Sequence, residues 1–406
     1  MAGSLLDCVV IGAGPAGLAA SGALTAHGVD HGLLERGVVA ETWRSQRWDS
    51  FRLNTPGWMS RMLGAFPDDA YLPRAEVVSR FQKLAAACPL REGVAVHGLD
   101  PDSHGFTLRT GDGPIRTRTV VVATGDQNVA RTPALADELP TWVRQLHTAN
   151  YRNATELPPG GVLVVGSGQS GCQIAEDLLA GGRRVYVATS AVGRVPTPYR
   201  GRETLWWMVQ SGFYDQLATQ VLDPTVRKAP NPLLAPGGRP LGLPTLARLG
   251  AVLVGRPVAV DGDRISFDRS AEANLAAGEA FASRIRVLVD EMLHRTGIDA
   301  PAAGPDPDEE PVHLREVSEL DLRADAISSV IWCTGFGGDF SWLPSECAAG
   351  SGELLRTGVA ATSPGLWYMG LRWLTHRASS ILYGFPRDAE TVADAVGSHL
   401  DSMYRL

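Results

Sequence analysis

Two glycine-rich segments constrain this chain more than anything else in it: Gly12-Ala13-Gly14-Pro15-Ala16-Gly17 and Gly166-Ser167-Gly168-Gln169-Ser170-Gly171. Each follows an apolar run, Cys8 to Ile11 and Val162 to Val165, and each precedes an Ala/Leu-rich stretch of helical character. In a strand–turn–helix setting the glycines permit a tight turn, close approach of a phosphate to the backbone and close packing of helix on strand. The helix N-terminus adds unpaired N–H donors and about half a positive charge. One such motif is a weak signal, since a glycine-rich turn without a ligand reads the same way. Two in one chain predict two dinucleotides bound face to face, the arrangement that passes a hydride from one cofactor to the other.

The length of 406 residues allows two to three domains with a large core. A net charge of −7 gives no reason to expect nucleic acid or an anionic membrane as partner. The five cysteines, Cys8, Cys88, Cys172, Cys333 and Cys347, contain no C-x-x-C pair. Neither a zinc ribbon nor a dithiol relay has its ligands, so no metal is expected, and the odd count fits a reducing cytoplasm. The apolar stretch Leu5–Leu24 contains Asp7, Pro15 and four glycines. A strand and a helix broken by a phosphate loop account for it better than a signal peptide or membrane helix.

The pattern predicts an α/β fold with two Rossmann-like dinucleotide-binding domains. A strand at residues 6–11, a helix to about His27 and a strand at His31–Leu34 form the first βαβ unit. Thr42 to Pro73, rich in Trp, Arg, Pro and Gly, reads as elaborated loop, and Ala75 to Ala87 as helix. Short strands at Val94–Val96, Gly105–Arg109 and Arg116–Val122 lead to Ala123-Thr124-Gly125. The second βαβ unit starts near Gly161 and ends with a strand at Arg184–Ala188. Further on come a long helix at Ala271–His294, an acidic Pro-rich loop or mobile linker at Pro301–Pro311, a strand at Ile327–Cys333 and a closing helix at Ala389–Leu406. The second domain, residues 156–324, is thus expected as an insertion into a discontinuous first domain of residues 1–155 and 325–406.

Glu35 lies 23 residues after Gly12, at the end of the second strand, where a carboxylate can accept from ribose hydroxyls. The same offset from Gly166 falls on Thr189, followed by Ser190 and, shortly after, Arg194. Hydroxyls and a guanidinium with no acid suit a 2′-phosphate, so the second site is expected to prefer NADPH to NADH. Arg194, Arg200 and Arg202 as plain surface arginines are the alternative.

These residues resemble the flavin-containing monooxygenases, class B flavoprotein monooxygenases, in a bacterial branch of undefined substrate. The first glycine motif with Glu35 resembles the FAD site. Ala123-Thr124-Gly125 resembles the crossing from the FAD domain, and Trp332-Cys333-Thr334-Gly335-Phe336 a second such signature with Cys333 in place of the usual Ala. Leu146 to Tyr151, with His147, is similar to a family fingerprint ending in His-x-x-x-Tyr, although its F-x-G opening is replaced near Thr141-Trp142-Val143. Arg52-Leu53-Asn54-Thr55-Pro56 resembles the segment that sets an Asn beside the flavin, and residues 197–203 and 380–388 resemble the bacterial branch.

The resemblance implies FAD and NADPH as cofactors, with molecular oxygen and a small molecule as substrates. It implies a 4a-peroxyflavin shielded by retained NADP⁺, which oxygenates an amine nitrogen or a sulfur. Asn54 is the expected catalytic residue. Besides the residues named, Arg36, Trp43, Arg44, Leu53, Val96 and Ser380 are expected to line the cofactors, with His376 and Ser379 possible neighbours of the flavin. Trp206 and Trp207 cover the substrate entrance or belong to the core, and His147 braces the linker or packs in the core. The flavin performs the difficult chemistry, so no side-chain triad is needed. Baeyer–Villiger oxygenation of a ketone, a flavin oxidoreductase with another acceptor, and a flavin-binding sensor or assembly protein stay open, as does a homo-oligomeric state.

Overall fold

The computed structural model describes residues 5–234, 237, 239–350 and 352–405. Its first sheet is built on the strand Leu6–Ile11, flanked in parallel by His31–Leu34 and Ile115–Val122. Cys8, Val9 and Val10 are fully buried, as expected of a parallel strand covered on both faces. A short strand at Leu90–Arg91 extends one side. On the other side Leu366–Tyr368 pairs in parallel with Ile115–Val122. The hairpin of Val96–Asp102 and Gly105–Thr110 leans on the same Ile115–Val122 strand.

The second sheet repeats this plan. Gly161–Val165 is flanked in parallel by Val185–Ala188 and Ile327–Trp332, with Val252–Val254 beyond the first and Arg144–His147 beyond the second. A small antiparallel sheet of Pro257–Asp261, Arg264–Phe267 and Glu319–Asp321 accompanies it. The resemblance between the two halves therefore extends beyond the glycine motifs to the strand that lies beside each of them.

Strand pairing moves the expected domain limits. Arg144–His147 and Ile327–Trp332, both within the range expected for the outer domain, hydrogen-bond into the second sheet. The reason is continuity of the apolar strand: residues 327–332 bury Ile327, Val330, Ile331 and Trp332 and need two covered faces, which a place beside Gly161–Val165 provides. The chain returns to the first sheet at Arg356–Thr357, which pairs through Ala360–Ala361 with Leu366–Tyr368.

The closing helix begins earlier than expected, at Phe385, because Pro386 fits the first turn of a helix, and it runs to Tyr404 along the first helix, Pro15–Ala26. The long helix spans Ala271–Thr296 and ends at Gly297, whose φ of 67° makes it a left-handed terminator. Residues 301–311 form a loop interrupted by a short 3-10 turn at Pro307–Glu309, and the segment is anchored. Asp306 is buried against Arg194 and Arg286, and Asp308 accepts from Thr245 at 2.6 Å.

Candidate dinucleotide and redox site

The two glycine motifs fold into matching cradles. Gly12 and Gly166 end their strands with φ of 103° and 105°, a region that strongly favours glycine. A side chain on Gly12 would meet the Ala123 carbonyl oxygen at 2.7 Å, and one on Gly166 the Cys333 carbonyl oxygen at 2.5 Å. A Cβ on Gly17 or Gly171 would lie 1.8 Å from the carbonyl oxygen of Gly12 or Gly166. The middle glycines differ. Gly14 and Gly168 are the N-cap residues of Pro15–Ala26 and Gln169–Ala180, with no side-chain cap, and a Cβ there would meet no protein atom within 4 Å. Both cradles thus present bare helix N-termini with open space before them, which fits a pyrophosphate.

The crossing segments Ala123-Thr124-Gly125 and Cys333-Thr334-Gly335 occupy equivalent positions behind the two cradles. Ala123 N–H donates to the Ile11 carbonyl at 2.9 Å, and Cys333 N–H to that of Val165 at 2.8 Å. Thr334, Gly335 and Phe336 accordingly belong with the second cradle, and the Thr124 hydroxyl is buried without a partner.

Glu35, at the end of the second strand, ties the turn of the first cradle. Its Oε2 accepts from the Ala13 N–H at 2.8 Å and its Oε1 from the Gly37 N–H at 3.0 Å. A carboxylate has about four acceptor positions, so two stay available for ribose hydroxyls. Next to it run the backbones of Gly93 and Val94, Val94 N–H donating to the Glu35 carbonyl at 2.8 Å. Val96, the expected contact, pairs with Thr110 in the hairpin instead. Arg36 and Arg44 are exposed, and Trp43 packs on Phe51 and Phe81 at centroid distances of 5.8 and 5.6 Å.

The second ribose site departs from expectation at Arg194. Its guanidinium is buried and paired with Asp306 at 2.7 Å and with Glu279. Two carboxylates already compensate the charge, so Arg194 is an internal tie between the long helix and the anchored loop and not a free anion binder. Arg200, likewise, pairs with Asp290 at 2.6 Å. Thr189 is buried and bonded to the Val254 carbonyl and to Asn274, each at 2.9 Å. Ser190 does reach the cradle: its N–H donates to the Ser167 hydroxyl at 2.9 Å.

Asn54 joins the two halves. Its Oδ1 accepts from Gln173 Nε2 at 2.9 Å, and Gln173 lies one turn into the second cradle helix. Among the described residues the Asn54 Nδ2 has no hydrogen-bond partner. Leu53 beside it is buried, its N–H donating to the Leu72 carbonyl at 2.8 Å, and Thr55 and Ser60 share a buried hydroxyl contact at 2.8 Å. Gln173 was not singled out from the sequence, where one polar residue on an apolar helix carries no distinguishing signal. Its own Oε1 is buried without a partner.

His147 is a brace. Its Nε2–H donates to the Gly335 carbonyl at 3.0 Å while Nδ1 accepts from Ala149 N–H at 3.3 Å. A proton on Nδ1 would break the second bond, and burial lowers the imidazole pKa further. Tyr151 is fully buried and donates to Asp177 at 2.5 Å, which pins the linker to the second cradle helix. Gly370 passes the first cradle so closely that a Cβ would lie 2.7 Å from that of Ala16. His376 and Ser379 are buried in the following turn with Asp388, and Ser380 is half-buried beside them. Trp207 is core, its indole N–H on the Tyr199 carbonyl at 2.8 Å, whereas Trp206 is half-buried.

Four of the five cysteines offer little thiolate. Burial pushes the Cys8 and Cys333 thiols up to about 12 and raises those of Cys172 and Cys347 as well. Among the described residues no group of His, Cys, Asp and Glu could hold a metal, and no helix is long and apolar enough to cross a membrane.

Comparison with known proteins agrees with this geometry. Residues 9–199 match the family model for pyridine nucleotide-disulphide oxidoreductases. An uncharacterized oxidoreductase CzcO-like of Geobacillus kaustophilus is 27% identical over 405 residues, covering 97% of this chain and 99% of the relative. Indole-3-pyruvate monooxygenase YUCCA1 of rice is 32% identical over 185 residues, 43% of this chain and 46% of the relative. Among solved structures, a flavin-containing monooxygenase from Stenotrophomonas maltophilia superposes with a TM-score of 0.67 at 19% identity, covering 98% of this chain and all of its own. Two cradles of one design, bridged by Asn54 and Gln173, thus give this chain the plan of its structural neighbours, and it resembles the flavin-containing monooxygenases and the CzcO-like oxidoreductases.

Proposed function

We propose that the first cradle holds FAD, the second NADPH, and that the protein oxygenates a soft nucleophile, an amine nitrogen or a sulfur, with NADP⁺ kept bound during oxygen transfer. The observation that carries this reading is the Asn54–Gln173 bridge. It places an uncharged amide, whose N–H donor has no partner among the described residues, between a loop of the first half and the helix of the second cradle. An amide can stabilise developing negative charge without supplying a proton that would release the bound oxygen species as hydrogen peroxide.

The chain's residues divide the remaining work. Gly14 and Gly168 leave the helix N-termini open to pyrophosphates, and Glu35 receives the first ribose. Tyr151 and His147 fix the linker, which keeps the two redox rings in register. FAD, reduced by NADPH, supplies the oxygen-activating chemistry. Disulphide exchange, the other activity in the family name, is disfavoured by the raised pKa values of the buried thiols, because the thiolate is the reactive form.

The test measures NADPH consumption, hydrogen peroxide and oxygenated product together, with sulfides, amines and ketones as candidate substrates. Substrate-dependent product formation with little peroxide is the expected result. Asn54→Ala is expected to raise the peroxide formed per NADPH about tenfold or more, the loss of one donor of ~1.4 kcal/mol or greater. Unchanged coupling in that variant removes Asn54 from the reaction. Oxygenation of ketones alone assigns the Baeyer–Villiger reaction instead.

A further inference from the structure

A cavity of about 480 Å³ lies beside the second cradle helix, lined by Arg52, Asp69, Tyr71, Gly237 and Arg239. It is adjacent to the Asn54–Gln173 bridge on two counts. Arg52, bridged to Pro73, lies two residues before Asn54 on the same short segment. Across the cavity Arg239 pairs with Glu176 at 3.1 Å, and Glu176 is one turn along the helix from Gln173, about 5 Å by helical rise.

The charge left for an anion is that of Arg52. Arg239 is paired with Glu176, whereas Arg52 has no carboxylate partner among the described residues. The only hydrogen bond of the Arg52 guanidinium among the described residues goes to the Tyr71 carbonyl at 3.2 Å, which leaves most of its planar fork uncommitted. Tyr71 itself has a buried hydroxyl with no partner. Arginine forks match carboxylates in two-point geometry, and a volume of this size suits a small organic molecule.

We propose that this cavity docks a carboxylate of the substrate, so that the molecule oxygenated beside Asn54 is a small organic anion held by Arg52 and Arg239 with its soft atom toward the amide. The proposal rests on the monooxygenase reading above. The coenzyme's 2′-phosphate shares the same chemistry, and the experiment separates the two.

The probes are 4-(methylthio)benzoate and methyl phenyl sulfide, which differ only in the carboxylate. Binding is measured by calorimetry on the FAD- and NADP⁺-loaded protein, and turnover by sulfoxide formation. The carboxylate probe is expected to bind at least tenfold more tightly than the neutral one. In Arg52→Gln/Arg239→Gln that advantage is expected to vanish, a change of about 10–100-fold, with methyl phenyl sulfide unaffected. Equal binding of the two probes to the wild type overturns the proposal, as does an equal loss for both in the variant. A rise in KM for NADPH but not NADH in Arg239→Gln, with carboxylate binding intact, assigns the guanidinium to the 2′-phosphate and also overturns it. Arginine-dependent carboxylate binding without sulfoxide keeps the docking site and discards the monooxygenase reading.

Discussion

Replacing the middle glycine of each cradle by alanine separates cofactor binding from folding. Gly14 has φ −74° and ψ −178°, and Gly168 φ −72° and ψ −175°, conformations open to any residue. A methyl group there touches no protein atom within 4 Å. The cofactor-free protein should therefore fold normally, with melting temperatures within about 2 °C of wild type, since neither strain nor a clash is introduced. Only a phosphate approaching the bare helix end meets the methyl. Pushed back by about 1 Å, it loses one charge-assisted hydrogen bond worth ~1.5–3 kcal/mol, a 10- to 150-fold loss of affinity. Gly14→Ala should lose flavin, measured as the ratio of absorbance at 450 nm to that at 280 nm and by FAD titration. Gly168→Ala should keep its flavin and raise KM for the nicotinamide coenzyme by the same factor. Gly17→Ala serves as contrast: its Cβ lies 1.8 Å from the Gly12 carbonyl oxygen, so the helix must leave the strand and the fold itself should lose roughly 1–3 kcal/mol or more. Full flavin affinity in Gly14→Ala would refute the phosphate assignment, and flavin loss in Gly168→Ala with normal coenzyme kinetics would exchange the two sites.

Arg194→Ala should destabilise without altering coenzyme choice. It strips a buried Asp306 of one of its two arginines, costing up to about 3–5 kcal/mol, while the ratio of KM for NADPH to that for NADH should stay fixed; a collapse of that ratio would return Arg194 to the coenzyme site. Tyr151→Phe should cost about 1–3 kcal/mol in urea denaturation, because it removes a buried hydrogen bond to an acid and leaves Asp177 with Ser50 at 2.6 Å; no change would mean that the linker is not pinned there. Glu203 supplies a pH prediction. Burial raises its carboxyl to about 7, partly opposed by a hydrogen bond from Trp58. A folded-state pKa above the unfolded one stabilises fully at pH below the unfolded value and loses that stability as pH rises through about 7. The melting temperature should fall between pH 5 and pH 8, and Glu203→Gln should flatten this fall; an equal slope in the variant assigns it to other groups.

Much of the cofactor framework was legible because its physics is local. A parallel strand must be apolar and a cradle must be glycine, so the strand–turn–helix units at residues 6–26 and 161–180 could be read directly. The neighbouring strands were legible as strands but not as to sheet. Ile327–Trp332 is equally apolar in either half, and only pairing with Gly161–Val165 decides its place. The position behind Gly166 that Cys333 fills is set by that pairing and not by the glycine motif itself.

Long-range charge pairing defeated sequence reasoning in the same way. Arg194 has the right offset for a coenzyme phosphate, but its partners Glu279 and Asp306 lie 85 and 112 residues away. A guanidinium between two carboxylates is neutralised before any coenzyme arrives. An unpaired arginine and a paired one look identical in sequence, and the difference is made by elements that carry no motif: a long helix and an acidic loop that reads as a linker. Arginines without sufficient partners keep their charge available. Arg52 is two residues from Asn54, and its guanidinium has a single carbonyl for company. Arg239 is held by one exposed carboxylate contact with Glu176. Charge left uncompensated beside the bridge of the two halves is where this fold can still select a ligand, which is why the substrate's own charge, and not the size of its apolar body, is the property to vary first.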